Sequence, residues 1–172
     1  MSSVIKVDQI QLVDGSTPTA ADLGLNITGS VLQVVQTVSN SSSSASANTW
    51  LEGNLTGTIT PRYATSKILV KFDLPNIYDG SGTDFWAYIT RNGTNLFSSY
   101  TTGNATKAGV NGYTLLFYSD GRQHASITYL DSPATTSACE YKWYLLVNGG
   151  TVYDNYPNDR GVQTLTMMEI AG

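Results

Sequence analysis

The stretch KILVKFDL, Lys67 to Leu74, decides the fold class. Ile68, Val70, Phe72 and Leu74 alternate with Lys67, Lys71 and Asp73, and only Leu69 interrupts the pattern. A period of two places successive side chains on opposite faces of a strand, so this segment reads as a strand with one buried face. The same reading extends outward along the chain. From Phe85 to Arg91 both alternating sets carry large side chains, as they do from Tyr141 to Val147, which predicts strands covered on both sides. Further strands are predicted at Leu55 to Ile59, Tyr113 to Tyr118, Ser126 to Leu130 and Gln163 to Ile170. They are separated by turn clusters: Asp79-Gly80-Ser81-Gly82, Arg91-Asn92-Gly93-Thr94, Asp120-Gly121 and Asn148-Gly149-Gly150. Asp131-Ser132-Pro133 should end a strand, since proline cannot continue a ladder. No segment has a helical stripe. Seven or eight short strands with these turns predict an all-β chain, an antiparallel β-sandwich of jelly-roll type. Its eleven Tyr and three Trp suit the space between two sheets.

The N-terminal segment reads differently. VDQIQLVDGSTPTAADLGLNITGSVLQVV, from Val7 to Val35, is apolar enough to need burial, yet Asp14-Gly15-Ser16-Thr17-Pro18, Gly24 and Gly29 break it into short pieces. Residues 1–38 are therefore read as an extended attachment arm, with Val7, Ile10, Leu12, Leu23, Leu25, Val31, Leu32 and Val34 as its docking side chains. Residues 39–48, rich in serine, read as a linker. The sandwich domain is assigned to 49–172.

Composition narrows the function. The 172 residues are 41% hydrophobic but only 13% charged, with a net charge of −4. That charged fraction is about half the usual one. Polarity rests on Ser, Thr, Asn and Gly, a surface suited to static protein contacts or uncharged ligands such as sugars. The few basic residues are scattered, which argues against nucleic acid. No apolar run is long enough to insert in a membrane, and no secretory leader is recognisable. The N-x-Ser/Thr triplets at Asn26, Asn40, Asn54, Asn92 and Asn104 are read as chance matches in so Asn- and Thr-rich a chain.

Catalysis finds little support. His124 is the single histidine, so a nucleophilic triad would depend wholly on it, and its place in Gly121-Arg122-Gln123-His124 reads as a turn or loop residue; with Cys139 the single cysteine, the ligands of a typical zinc site are not supplied. Asp79-Gly-Ser-Gly-Thr-Asp84 lacks the oxygen spacing of an EF-hand. Asp131, Glu140 and Glu169 have no context that marks a glycosidase pair, and the Asn148 to Thr151 segment is not a phosphate loop. The expectation is a protein that is not an enzyme and carries no metal or cofactor.

VDQIQLVDGSTP, ADLGLNITGSVLQVVQ, ITPRYATSKILV, ITYLDSPATTSACEYKWYLLV and TLTMMEIAG follow one another along the chain. In this order they resemble small virion proteins of marine tailed bacteriophages, of the cyanophage and pelagiphage fibre and tail type. The resemblance implies a virion structural protein assembled in the host cytoplasm, a homotrimer with a jelly-roll head bound to other virion proteins. Its expected role is a tail-fibre protein whose arm docks on the particle and whose head contacts host surface polysaccharide. The alternatives are a capsid decoration protein and a lectin-like carbohydrate-binding module. Tyr78, Trp86, Tyr100, Tyr153 and Tyr156 are the candidate receptor contacts. The Ser98 to Gly112 segment is the candidate tip loop. Leu165, Met167 and Ile170 are either a threefold interface or core of one subunit.

Overall fold

The alternation at Lys67 opens a strand far longer than the eight residues that display it. In the computed structural model, which describes residues 10–18, 28–99 and 112–172 (backbone alone at 81–83 and 115–120), strand β4 runs unbroken over Lys67–Arg91. Around it stand β1 (Val31–Ser39), β2 (Ser44–Ser46), β3 (Leu51–Ile59), β5 (Thr94–Asn95), β6 (Thr114–Asp131), β7 (Cys139–Val147), β8 (Thr151–Tyr153) and β9 (Gln163–Ile170). Among the described residues there is no helix, and every strand pairing is antiparallel.

Two expected turns are absent. Asp79–Gly82 and Asp120–Gly121 lie inside β4 and β6, which pair with each other from Ile68↔Asp131 to Ala87↔Thr114. Register shifts between Leu74 and Ile77, and between Asp79 and Thr83, absorb the turn-forming residues as bulges. Pro75 has no N–H to give to the ladder at the first shift. Gly121 takes φ +94° opposite Asp79 at the second. The first bulge reverses the parity of β4: Ile68, Val70, Phe72 and Leu74 face inward before it, and Ile77, Phe85, Ala87 and Ile89 after it. Other turns stand where the sequence placed them. Asn92 and Gly93 both have positive φ and join Arg91 to Thr94 in a two-residue hairpin, and β6 stops at Asp131 before Ser132-Pro133.

One edge of β4 is taken along its length by β6. On its other edge β9, β8 and β7 follow one another, with β1 beyond β9 and β3 beyond β7. The ribbon folds over, so that β3 lies against β9 and β1. A Cβ added at Gly57 would stand 2.7 Å from Met167 Cε, 2.8 Å from Leu165 Cδ2 and 2.9 Å from Thr37 Oγ1. At Gly53 an added Cβ would run into the Trp143 ring itself. Between the layers lie Trp143, Tyr141, Phe72, Phe85, Leu55 and Ile59, all fully buried and each worth about 1.5–3 kcal/mol in apolar burial for the aliphatic and Phe side chains.

Two buried carboxylates tie the layers at one end. Asp131 of β6 receives Arg91 Nη1 at 2.7 Å and the Tyr141 hydroxyl at 2.7 Å, joining β4 and β7 to it. Burial, and then the Asp131 carboxylate, pushes the Tyr141 phenol far above its ordinary range. Glu169 of β9 accepts Gln33 Nε2 at 2.6 Å and the Arg62 N–H at 2.7 Å, joining β1 and the segment after β3. Burial disfavours its charge, but the hydrogen bonds outweigh this and hold its pKa below the ordinary 4.5.

Several sequence expectations change. Val31, Leu32 and Val34 are not part of a free arm: they belong to β1, whose backbone pairs with β9 from Val31↔Ile170 to Ser39↔Gln163. Ser39 ends the same strand, and Ser44–Ser46 of the expected linker pairs with β8. Leu165 and Met167 are core residues of this chain with no exposed surface, since the period of two turns the odd residues of β9 inward. Ile170, of opposite parity, is half-buried.

Gly53→Ala should lower stability by about 2 kcal/mol through displacement of Trp143, measured by urea denaturation. Because Glu169 has a lowered folded-state pKa, its contribution is complete above about pH 4.5 and is lost as pH falls through the folded value. Glu169→Gln should therefore lose less stability than the parent between pH 6 and pH 3.

Candidate functional site

The middle of β4 carries the most distinctive surface among the described residues. Ile77, Asp79 and Val152 are fully buried, so their neighbours Tyr78 and Tyr153 point away from the core. Strand register puts Tyr153 opposite Tyr78, Arg122 on the other flank of Tyr78, and Ser44 beyond Tyr153. The result is one cross-strand row, Ser44, Tyr153, Tyr78, Arg122, spanning β2, β8, β4 and β6. Residue spacing of this kind brings side chains of neighbouring strands into contact.

Tyr156, in the segment between β8 and β9, completes the patch. Its ring centroid lies 4.3 Å from that of Tyr78 and 5.8 Å from that of Tyr153, and the Tyr78 and Tyr153 centroids are 6.0 Å apart. The rings are inclined at 44° to 85° to one another. The Arg122 guanidinium stands 4.8 Å from the Tyr156 centroid, a cation–π contact, and also pairs with the Asp159 carboxylate. All three tyrosines are half-buried, while Arg122, Asn158 and Asp159 are exposed.

Buried polar side chains hold this segment in place. Asp154, without exposed surface, accepts the Ser43 N–H at 2.6 Å and the Asn54 N–H at 2.9 Å. Asn155, equally buried, donates to Gly161 O at 2.9 Å and accepts the Gly161 N–H at 3.0 Å. Gln163 donates to Asp154 O at 2.6 Å, and Asn76 donates to Asp159 O. The Tyr156 N–H bonds Asn76 O at 3.0 Å. Burial pushes the Asp154 carboxyl pKa up against the pull of its N–H donors. Buried polar groups favour folding little and cost heavily if left unpaired. Four of them bracket one nine-residue turn, 154–162, and fix the geometry of Tyr156 and Asp159.

The remaining candidates fall elsewhere. Trp86 is 5% exposed and lies edge-on to Tyr113, so it is a covered residue and no free receptor contact; its parity is outward, but protein packs over it. Near it Trp50, Tyr88 and Tyr144 form a second aromatic group. Tyr88 and Tyr144 stack at 4.7 Å and 6°, with Trp50 edge-on to Tyr88 at 4.7 Å. The Tyr144 hydroxyl donates to Glu52 at 2.6 Å, and burial, then this bond, pushes its pKa up to about 12. This group braces β3, β7 and β4. A cavity of about 290 Å³ lies among Phe97, Tyr113, Thr114 and Tyr129. Tyr100, Val7, Leu23 and Leu25 lie outside the described residues, as do residues 100–111 of the expected tip loop; Ile10 and Leu12 are 51% and 38% exposed.

Of the five expected contact residues, three thus come together. Arg122 and Asp159, and the buried Asn76, Asp154 and Asn155 behind them, escaped the sequence reading. Arg122 was hidden by the turn reading of Asp120-Gly121, and the clustered Asp and Asn around Pro157 were the only local signal of a pinned turn. The patch offers aromatic faces, hydroxyls and an adjacent donor–acceptor pair, which equips it for binding. Among the described residues no three His, Cys, Asp or Glu side chains are grouped to hold a metal ion. The sequence matches no protein-family model and no curated protein.

Asp154→Ala should leave the β fold intact but cost about 1–3 kcal/mol and raise amide exchange across residues 155–161, measured by hydrogen–deuterium exchange.

Proposed function

We propose that this chain is a virion structural protein of a tailed bacteriophage, a trimeric fibre-like attachment protein with a jelly-roll-like head. Its N-terminal segment docks on the particle, and its head meets the host surface. The reading is of a binding protein with no catalytic step and no cofactor. It draws on the ordered sequence resemblance and on the two-layered antiparallel architecture. The observation that carries it is the presence on one small β head of two distinct surfaces, the pinned tyrosine–arginine patch and an apolar sheet face at the β1 edge.

That apolar face is built by register. Val34 stands opposite Met168, Met168 opposite Leu69, and Leu69 opposite Leu130, an apolar row across β1, β9, β4 and β6. Val31 and Ile170 add to it one step along. Val31, Val34 and Leu130 are 54%, 56% and 47% exposed. Among the described residues β1 ends the hydrogen-bonded order and pairs with β9 alone. Edge strands with apolar outward residues are burdens unless covered. Contact with neighbouring copies at this face, in place of Leu165 and Met167, accounts for both features. Capsid decoration is the second reading, favoured by the same face, which would then clamp capsid subunits; it assigns no task to the tyrosine patch. A free lectin-like module would need no apolar face.

Cryo-electron microscopy of the intact particle separates these readings. Density for this chain at the tail or a projecting fibre is expected; density across the capsid lattice makes it a decoration protein, and absence from the particle removes the virion reading. Light scattering should give three times the single-chain mass, and Leu130→Glu should shift it to one chain with the β-type circular dichroism retained. A single-chain mass for the parent removes the trimer.

A further inference from the structure

We propose that Tyr78, Tyr153, Tyr156 and the Arg122–Asp159 pair form a subsite for one neutral pyranose of a surface polysaccharide. The proposal rests on the host-contact reading above and adds to it the ligand class and the part each side chain plays. The three ring centroids lie 4.3–6.0 Å apart, so the rings touch one another and their outward sides form one continuous aromatic platform about as wide as a sugar ring. A platform of this extent matches a single residue of a glycan. A pyranose presents weakly positive C–H groups on its faces, which complement the negative faces of tyrosine rings. Its equatorial hydroxyls need a donor and an acceptor side by side. Arg122 supplies planar N–H donors, Asp159 supplies acceptor oxygens, and their pairing keeps each oriented.

Charge decides for a neutral sugar. The Arg122 charge is already answered by Asp159, and Asp79 and Asp154 lie fully buried beside the patch. The chain as a whole carries −4. An acidic sugar would have to displace Asp159 from Arg122, at a loss a neutral sugar does not incur. Preorganisation favours the same site. The turn that presents Tyr156 and Asp159 is ordered before any ligand arrives by Asn76, Asp154, Asn155 and Gln163, so little conformational entropy remains to be lost on binding.

The test uses the full chain on a surface array of glucose, galactose, mannose, fucose and rhamnose oligosaccharides, with uronic-acid and sialic-acid oligosaccharides alongside. Saturable binding to at least one neutral series is expected, with every acidic series weaker. Tyr156→Ala and Arg122→Ala should each weaken it tenfold or more, and Arg122→Lys should fail to restore it because the planar fork is lost. Thr58→Ala, on β3 away from the patch, should bind as the parent does, and circular dichroism should be unchanged in all variants. No binding to any neutral series, tightest binding to an acidic one, or binding that survives both alanine variants overturns the proposal. Mass spectrometry of purified particles separates this from the function itself: a chain present on the particle that binds no sugar sinks the subsite alone, and a sugar-binding chain absent from it sinks the virion reading alone.

Discussion

Everything in this fold depends on the β4–β6 ribbon passing through both layers. Because β6 accompanies β4 from Ile68↔Asp131 to Ala87↔Thr114, neither strand can leave the other at the bend. The bend has to be made by bulges within a paired ladder. Their effect is to keep the inward residues of β4 facing one core on both sides of the parity change. β9, β8 and β7 then dock in succession along the other edge of β4, each in a register that buries its apolar set. Arg91, Asp131 and Tyr141 secure the ribbon where β4 and β6 end, and the pairing is satisfied on both sides, as a buried charge requires.

The middle of the ribbon also carries the candidate site. Between the stretches of β4 paired with β9 and with β7, its edge is taken by β8 with β2 beyond, and the row Ser44, Tyr153, Tyr78, Arg122 runs across these strands. The turn 154–162 folds back over that row and is held by side chains that would each be a loss if unpaired. Such an arrangement contributes little to global stability but much to local order. It is the pattern of a scaffold holding a contact surface.

Gly53 and Gly57 show the same dependence at the opposite layer. β3 carries glycine where Trp143 and where Met167 with Leu165 press on its backbone, so the close approach of layers is written into two positions with no side chain. The inward parity of β9 that fills this contact leaves Met168 and Ile170 outside, next to Val34 and Val31 of β1. An apolar outer face thus follows from the residues of even number in β9, which the inner core does not use.

The sequence alone settled the all-β class, the alternation at Lys67–Leu74 and Gln163–Ile170, the Asn92-Gly93 hairpin and the end of β6 at Asp131, because each depends on neighbours within a few residues. It also singled out Tyr78, Tyr153 and Tyr156 by their chemistry. Tertiary structure alone decided that Asp79–Gly82 is a bulge and not a turn, that Val31–Ser39 is a sheet strand, that Leu165 and Met167 face the core, and that Arg122 and Asp159 join the tyrosines. Turn-forming residues are equally at home in bulges, and a period of two says which residues share a face without saying which face is buried. Only the partner strands, distant in sequence, resolve either choice.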